Sequence, residues 1–255
     1  MTQSEQAPSL REWLQRDSFA LGLSSGFFGF FAHCGMISVL EEEKLFPVKL
    51  AGSSAGALVA GAWASGVDAR EITAVLLRMK REDFWDPFIG LGLLRGRRFR
   101  KKLESLLGVD DFKECRWPLA VSTFDLLTRS TRVIDSGSLA KAIHAACAVP
   151  LMFQPVWMGL RPQFDGGLAD RHGIAGIEDG QRLFYHHLSS RSPWRRKNSP
   201  ALRPPDRANT VSLIIEGLPR VGPFRLPNGK DAYQKARRAT RQALDSPVVD
   251  GITRV

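Results

Sequence analysis

Chemistry in this chain centres on a serine set among small residues. Gly52-Ser53-Ser54-Ala55-Gly56 fits G-x-S-x-G, the nucleophile elbow, in which a serine sits on a strained turn between a buried strand and a helix. Glycine suits both flanks of Ser54, because at an elbow the strand packs closely on the helix and a side chain at Gly52 or Gly56 would collide. The other reading of the pentapeptide is a plain flexible turn. A serine hydroxyl is a poor nucleophile near neutral pH and needs both a base and donors for the oxyanion it creates. Histidine is the usual base, and the chain has five: His33, His144, His172, His186 and His187. None sits in a stretch like the late strand-to-loop histidine of an ordinary α/β hydrolase, and a satisfied structural histidine is the better reading of each. Asp165, in Phe164-Asp165-Gly166-Gly167-Leu168, is a second base: a carboxylate followed by two glycines on a tight turn. From spacing alone an ordinary Asp-Gly hairpin turn is the better reading of that pentapeptide.

The elbow requires a strand before it and a helix after it. Val48 to Ala51 reads as the end of a short strand, and Ala55 to Ala64 as a helix of small and apolar residues stopped by Ser65-Gly66. Upstream, Phe19 to Leu23 reads as a buried parallel strand, Ser24 to Gly29 as a turn, and Phe30 to Lys44 as a helix ending in Glu41-Glu42-Glu43. Downstream, helices are expected at Ala69 to Arg81, with Asp68 as N-cap, at Arg98 to Leu107, and at Leu139 to Cys147, with Ser138 as N-cap. Pro118 to Phe124 reads as a central strand that Thr131 to Ile134 pairs with. Arg182 to Leu188 and Val211 to Ile215 are two further strands, and Asp231 to Leu244 is a basic terminal helix. Asp83 to Leu94, rich in aromatic residues and glycine, reads as a loop or lid, and Ser189 to Asn209 as a long polar loop. Strands alternating with helical patterns argue for an α/β sandwich with a mostly parallel sheet.

The chain of 255 residues is long enough for one full core. Residues 1–17 read as an N-terminal arm with a short helix from Leu10 to Gln15, and 18–255 as a single domain. Lys and Arg number 36 against 26 Asp and Glu, a formal charge of +10, which favours anionic partners. The charge gathers in Arg95 to Lys102, Trp194 to Lys197 and Lys235 to Arg238. Each cluster taken singly also reads as solvated surface. No zinc-finger, P-loop or RNA-binding signature accompanies them, which argues against nucleic acid. Cys34, Cys115 and Cys147 are odd in number and lack metal-ligand spacing, so reduced buried thiols in a cytosolic protein are expected. Met1 to Pro8 lacks the pattern of a secretory signal. Phe19 to Leu40 carries no charged residue, yet its glycines, serines and His33 fit a strand, a turn and a buried helix better than a membrane span.

Several separated segments resemble the patatin-like phospholipases. Leu50 to Leu58 is similar to that family's G-T-S-A-G-A-L block, and Ala145-Ala146-Cys147-Ala148-Val149-Pro150, with Phe153 and Pro155-Val156 after it, to its A-S-x-A-x-P…F-x-P-V block. Asp165-Gly166-Gly167 resembles the D-G-G/A motif, Asp170 falls where the family tends to carry Asn or Asp, and Phe124-Asp125-Leu126 resembles T-D-L. The likeness runs in family order and is strongest over residues 19–175. One motif departs. The family's G-G-G-x-R/K-G loop, placed by His33-Cys34-Gly35, falls on Ser25-Gly26-Phe27-Phe28-Gly29-Phe30, with one glycine kept in register and no basic residue.

The resemblance implies a three-layer α/β sandwich and a serine-aspartate dyad that needs neither histidine, metal nor cofactor. Ser54 would be the nucleophile, Asp165 the base, and the backbone N–H groups of Gly26 and Phe27 the oxyanion donors, beside the motif glycines Gly52, Gly56, Gly166 and Gly167. Phe27, Phe28, Phe30 and Phe31 would line an acyl pocket or pack into the core. The implied activity is lipid acyl hydrolysis, a carboxylic ester hydrolase with membrane phospholipid as the expected ester. Cationic surface and the segment Phe84-Trp85-Asp86-Pro87-Phe88 suggest peripheral docking of a cytoplasmic protein on an anionic bilayer. Two other readings stay open: a catalytically impaired module that binds lipid or protein, and a Ser-His-Asp esterase using His172 or His187.

Overall fold

The structure is a computed structural model that describes residues 7–189 and 198–255. In chain order its elements are α1 (Leu10–Arg16), β1 (Ala20–Leu23), α2 (Phe30–Glu42), β2 (Lys49–Ser53), α3 (Ala55–Ala64), α4 (Ala69–Leu77), β3 (Gly92–Leu94), α5 (Arg97–Leu106), β4 (Leu119–Asp125), β5 (Ser130–Ile134), α6 (Leu139–Ala146), β6 (Leu151–Phe153), β7 (Val156–Met158), β8 (Arg161–Asp165), β9 (Leu183–His187), β10 (Thr210–Ile214), α7 (Asn228–Leu244) and β11 (Ile252–Arg254).

The main sheet runs β11-β10-β9-β1-β2-β4-β8-β7. Its pairs from β11 through β4 are parallel. The β7, β8 and β5 pairings are antiparallel. A separate small sheet joins β3 to β6. Alternation along the central strands divides the interior in two. Leu21, Leu23, Leu119, Val121 and Phe184 join the large core under the helices. Ala20, Ala120, Leu183 and Tyr185 face the other way, onto Ile174 and Ile177. The result is the expected three-layer α/β sandwich, and the layer on the second face is irregular chain that follows Asp165.

α2 is buried from Phe30 to Leu40 because it carries no charge over that span and is apolar all round. Each large side chain fully buried there contributes about 1.5–3 kcal/mol. α7 covers it, and the acidic end of α2 anchors its neighbours. Glu42 takes Arg237 and Arg241 of α7, Glu43 takes Arg11 of α1, and Glu41 accepts from Trp63 Nε1 and from the N–H of Ala69. The basic cluster at Lys235 to Arg238 is therefore partly paired within the protein. Asp68 caps α4 as expected, accepting from the N–H of Glu71. Ser138 stands at the N-cap of α6 but makes no side-chain cap bond. α4 stops at Leu77, four residues short of the expected end. Asp83 to Leu94 is not wholly loop, since its last three residues form β3. The cluster Trp194 to Lys197 and part of the polar loop expected at Ser189 to Asn209 lie outside the described residues. No helix among the described residues is long and apolar enough to cross a membrane.

Candidate active site

Ser54 leaves β2 with φ 52° and ψ −120°, a backbone strain of about 1–3 kcal/mol for a residue with a side chain, and α3 starts at the next residue. Tight packing holds the turn. A Cβ on Gly52 would come within 2.5 Å of the Gly56 backbone, and one on Gly56 would overlap the carbonyl oxygen of Leu23. The strain turns the Ser54 side chain outward, while Ser53 stays fully buried.

Strand β4 brings the second residue to the first. β2 pairs along one edge of β4 until Ser53 stands opposite Ser122. β8 then takes over that edge from the other direction, with Asp165 opposite Thr123, while β5 occupies the far edge. The C-terminal ends of β2 and β8 thus meet at adjacent residues of β4. There the Ser54 Oγ donates to Asp165 Oδ2 at 2.6 Å. Asp165 Oδ1 accepts from the N–H of Gly167 at 2.8 Å. Asp165-Gly166-Gly167 therefore ends a strand and begins a short 3-10 turn, and the Asp-Gly hairpin reading is set aside.

Asp165 is 5% exposed. Burial pushes its carboxyl up to about 6, against the bonds from Ser54 and Gly167 that favour the ionised form. Near neutral pH the group is an ionised carboxylate of raised basicity, the property a general base needs. A second serine-aspartate contact, Ser122 Oγ to Asp170 Oδ2 at 2.7 Å, has a different character. Asp170 also accepts from the N–H groups of Gly173 and Ala175, so it ties down the chain after the D-G-G segment. Ser122 is buried and lines neither cavity beside Ser54. Asp125 likewise serves structure, accepting from the N–H groups of Leu127 and Thr128 and pairing with Arg161 at 2.8 Å.

No histidine among the described residues bonds to Ser54 or lines the two cavities beside it. His33 and His186 face each other, Nδ1 to Nδ1 at 2.9 Å, on the helical side of the sheet. His187 points to the other side and bonds the Leu202 carbonyl, and His172 bonds the Arg203 carbonyl. Burial holds His33 and His187 down to about 4, so both are neutral. The histidine-based esterase reading has no support in this geometry.

Ser54 stands where two cavities meet. The smaller, of about 70 Å³, is apolar and includes Phe27, Phe28, Phe30, Leu58, Phe84 and Phe99 in its walls. The larger, of about 460 Å³, opens past Asp165, Leu93, Leu151 and Arg171. Phe31 is absent from both walls and packs in the core. Gly26 and Phe27 border the smaller cavity alongside Ser54, and no acceptor among the described residues takes either N–H. Phe28 adopts φ 54°, the left-handed backbone in which glycine is the unstrained choice, so phenylalanine carries the bend. Leu151, at the mouth of the larger cavity, is also left-handed at φ 66°. The segment expected to present Phe84 to Phe88 divides: Phe84 is buried, and the apolar tip lies further on, with Ile89 95% and Leu91 65% exposed.

Sequence reasoning missed two residues at the site. Cys147 donates its thiol to the Ser54 carbonyl at 3.2 Å; burial, with the nearby Asp165 charge, raises the thiol well above its ordinary range. It therefore stays protonated and steadies the turn as a donor. Its signals were its place at the end of the helix expected from Leu139 and within the block Ala145 to Pro150, and neither assigns it a contact with Ser54. Arg171, buried, donates to the Leu188 carbonyl, and its own carbonyl accepts from the N–H of Ser25. It supports the loop that carries Gly26, and nothing in its spacing advertises this.

Known proteins resemble this chain to different degrees. An uncharacterized NTE family protein of Mycobacterium tuberculosis is 32% identical over 166 residues, 62% of this chain and 45% of its own length. The uncharacterized protein YqhO of Bacillus subtilis is 27% identical over 178 residues, 56% of this chain and 61% of its own length. The chain thus spans about half the length of the curated relatives it matches. VipD of Legionella pneumophila superposes with a TM-score of 0.53 at 14% identity, over 95% of this chain and 68% of that one, which shows a common fold. The family model described as patatin-like phospholipase matches residues 21–176, a span that holds the elbow, the 24–29 loop and Asp165, and the chain belongs to the patatin-like phospholipase family.

Proposed function

We propose that the protein is a lipid acyl hydrolase in which Ser54 is the nucleophile and Asp165 the base. The observation that carries the reading is the 2.6 Å bond from Ser54 Oγ to the buried Asp165 carboxylate, on a strained elbow between two cavities. Asp165 takes the hydroxyl proton as Ser54 attacks the ester carbonyl. The oxyanion is met by N–H groups of Gly26, Phe27 and the first turn of α3, whose partial positive charge favours an anion. Asp165 returns the proton to the leaving alcohol, and water, deprotonated by the same carboxylate, hydrolyses the acyl-enzyme. The small aromatic cavity takes the acyl chain, and the larger one takes the rest of the lipid.

The exposed tip around Ile89 and Leu91, beside the mouth residue Leu93 and the basic start of α5, supports peripheral docking on an anionic bilayer, with a membrane phospholipid as the ester. Basic residues near such a surface add about 1 kcal/mol each, screened by salt. Replacing Ile89 and Leu91 by Asp is expected to weaken binding to anionic vesicles and spare hydrolysis of a soluble ester; unchanged vesicle binding removes the docking reading.

A fluorophosphonate probe tests the chemistry. The expected result is a stoichiometric adduct on Ser54, found by peptide mass spectrometry and lost in Asp165→Asn. Folded protein that forms no adduct overturns the hydrolase reading and favours a lipid-binding module.

A further inference from the structure

Outside the two cavities beside Ser54 lies an open pocket of about 410 Å³ between α5, α6 and β7, and it shares no lining residue with either. Its walls are cationic. α5 contributes Arg97 and Arg100, three positions apart and so on one face of the helix. α6 contributes Lys141 and His144 with the same spacing, and Arg95 stands at the entrance, its guanidinium 4.7 Å from the Phe88 ring. Among the described residues none of these four cations has a carboxylate within ion-pair distance. One carboxylate is near: Asp86 accepts from the N–H groups of Gly96 and Arg98 and so caps α5. The helix end is therefore satisfied, and the surplus positive charge belongs to the side chains.

His144 forms the inner wall. It is 4% exposed, and neither ring nitrogen has a hydrogen-bond partner among the described residues. Its ring is held edge-on against Phe99 and Phe153, and Gly96 makes room for it, since a Cβ there would overlap Nε2. Burial, then the Arg100 charge, lowers it to about 3, so the ring is neutral and keeps one N–H to donate. A buried polar group without a partner calls for a reason. Here it backs a pocket of four unpaired cations.

We propose that this pocket is a phosphoryl-binding site, with Arg97, Arg100, Lys141 and Arg95 around the oxygens of a phosphomonoester and His144 donating to one of them. A phosphomonoester carries about −1.5 to −2 charges near neutral pH and three acceptor oxygens. Guanidinium forks match that geometry bidentately. The phosphoryl group belongs either to a lipid head group or to a soluble phosphate ester. The site stands apart from the dyad and is independent of the hydrolase reading.

The test reads binding alone. Inorganic phosphate and glycerol phosphate are titrated into the whole chain, with the ring resonances of His144 followed by NMR and affinity measured by calorimetry. The expected result is a saturable shift of the His144 resonances, and an affinity about tenfold or more weaker in Arg97→Gln/Arg100→Gln. The control, Arg70→Gln/Lys113→Gln, removes the same charge elsewhere and should leave the affinity unchanged. Phosphatidylcholine vesicles containing phosphatidic acid are compared with vesicles of equal charge containing phosphatidylglycerol. Preference for phosphatidic acid, lost in the Arg97/Arg100 variant, identifies a lipid head group; phosphate binding without that preference identifies a soluble ester. An unmoved His144 resonance under saturating phosphate overturns the proposal even if the variants misfold. Equal weakening by the control pair overturns it too.

Discussion

Asp165→Asn is expected to remove turnover and at the same time stabilise the fold, by an amount that depends on pH. The carboxyl is 5% exposed and raised from 3.8 to about 6, chiefly by burial. Below pH 3.8 the group is protonated in the folded and unfolded chain alike, and its burial involves no charge. Between 3.8 and about 6 the unfolded chain ionises while the folded one holds its proton, so stability falls as pH rises. Above about 6 the loss is complete, and the change in pKa corresponds to about 3 kcal/mol. Asparagine carries no charge and can still accept from the Gly167 N–H, so it escapes this loss. The variant's advantage should be near zero at about pH 3.5 and reach about 3 kcal/mol at about pH 7.5. Urea denaturation followed by tryptophan fluorescence at the two pH values measures it. Turnover should fall by about 10²–10⁴, the usual contribution of a general base. A stability difference that is the same at both pH values, or a variant less stable near neutrality, refutes the argument that Asp165 is held against its solvation.

Three other outcomes follow from the packing. Gly56→Ala sets a methyl group against the Leu23 carbonyl and should cost about 1–3 kcal/mol, read as a lower urea midpoint; an unchanged midpoint means that β1 and α3 are not in tight contact. Phe84→Ala enlarges the 70 Å³ cavity and should move the preferred acyl chain towards greater length, measured as kcat/KM over a series of p-nitrophenyl esters. An equal fall for every ester excludes this cavity as the acyl site. The buried neutral histidines set an acid limit: His33 at about 4 lies below the unfolded value of 6.5, so its contribution is full above 6.5 and is lost as pH falls towards 4. His33→Gln should flatten the decline in stability between those limits, and an undiminished slope shows that other groups cause it.

The elbow was legible because its constraint is local. A strand, two glycines around Ser54 and an alanine-rich helix follow one another without a break, and packing alone dictates their order. The parallel strands were legible for a related reason: being buried on both faces, they read as apolar runs. Strands β6, β7 and β8 were not. Pro150, Pro155 and Pro162 interrupt any alternation there, and the β7–β8 hairpin turns at Gly159-Leu160 without a strong turn dipeptide. β11 follows Gly251 as three residues near the chain's end, too short to show a period. Asp165 was ambiguous from its own neighbours, because what distinguishes a base from a hairpin turn is the position of β8 on β4, a contact distant in sequence. The cationic pocket drew a signal only from α5, since Lys141 and His144 join Arg97 and Arg100 through tertiary packing.

The meeting of β2 and β8 on one edge of β4 bears on how such a protein can be altered. Two consecutive rungs of one strand fix where Ser54 and Asp165 stand, although 111 positions separate them in sequence. Chain between those rungs that lies outside α3 and the Cys147 turn is therefore free to lengthen, shorten or be exchanged without changing the distance across the dyad, so long as β4 keeps its register. The aromatic walls drawn from Phe84 and Phe99, and the exposed tip at Ile89, all belong to that exchangeable stretch. Grafting the 80–100 segment of a relative should thus reprogramme which acyl chains and surfaces are chosen while the reacting atoms keep their places. The scaffold separates what the reaction is from what it acts on, and a single strand is the joint between the two.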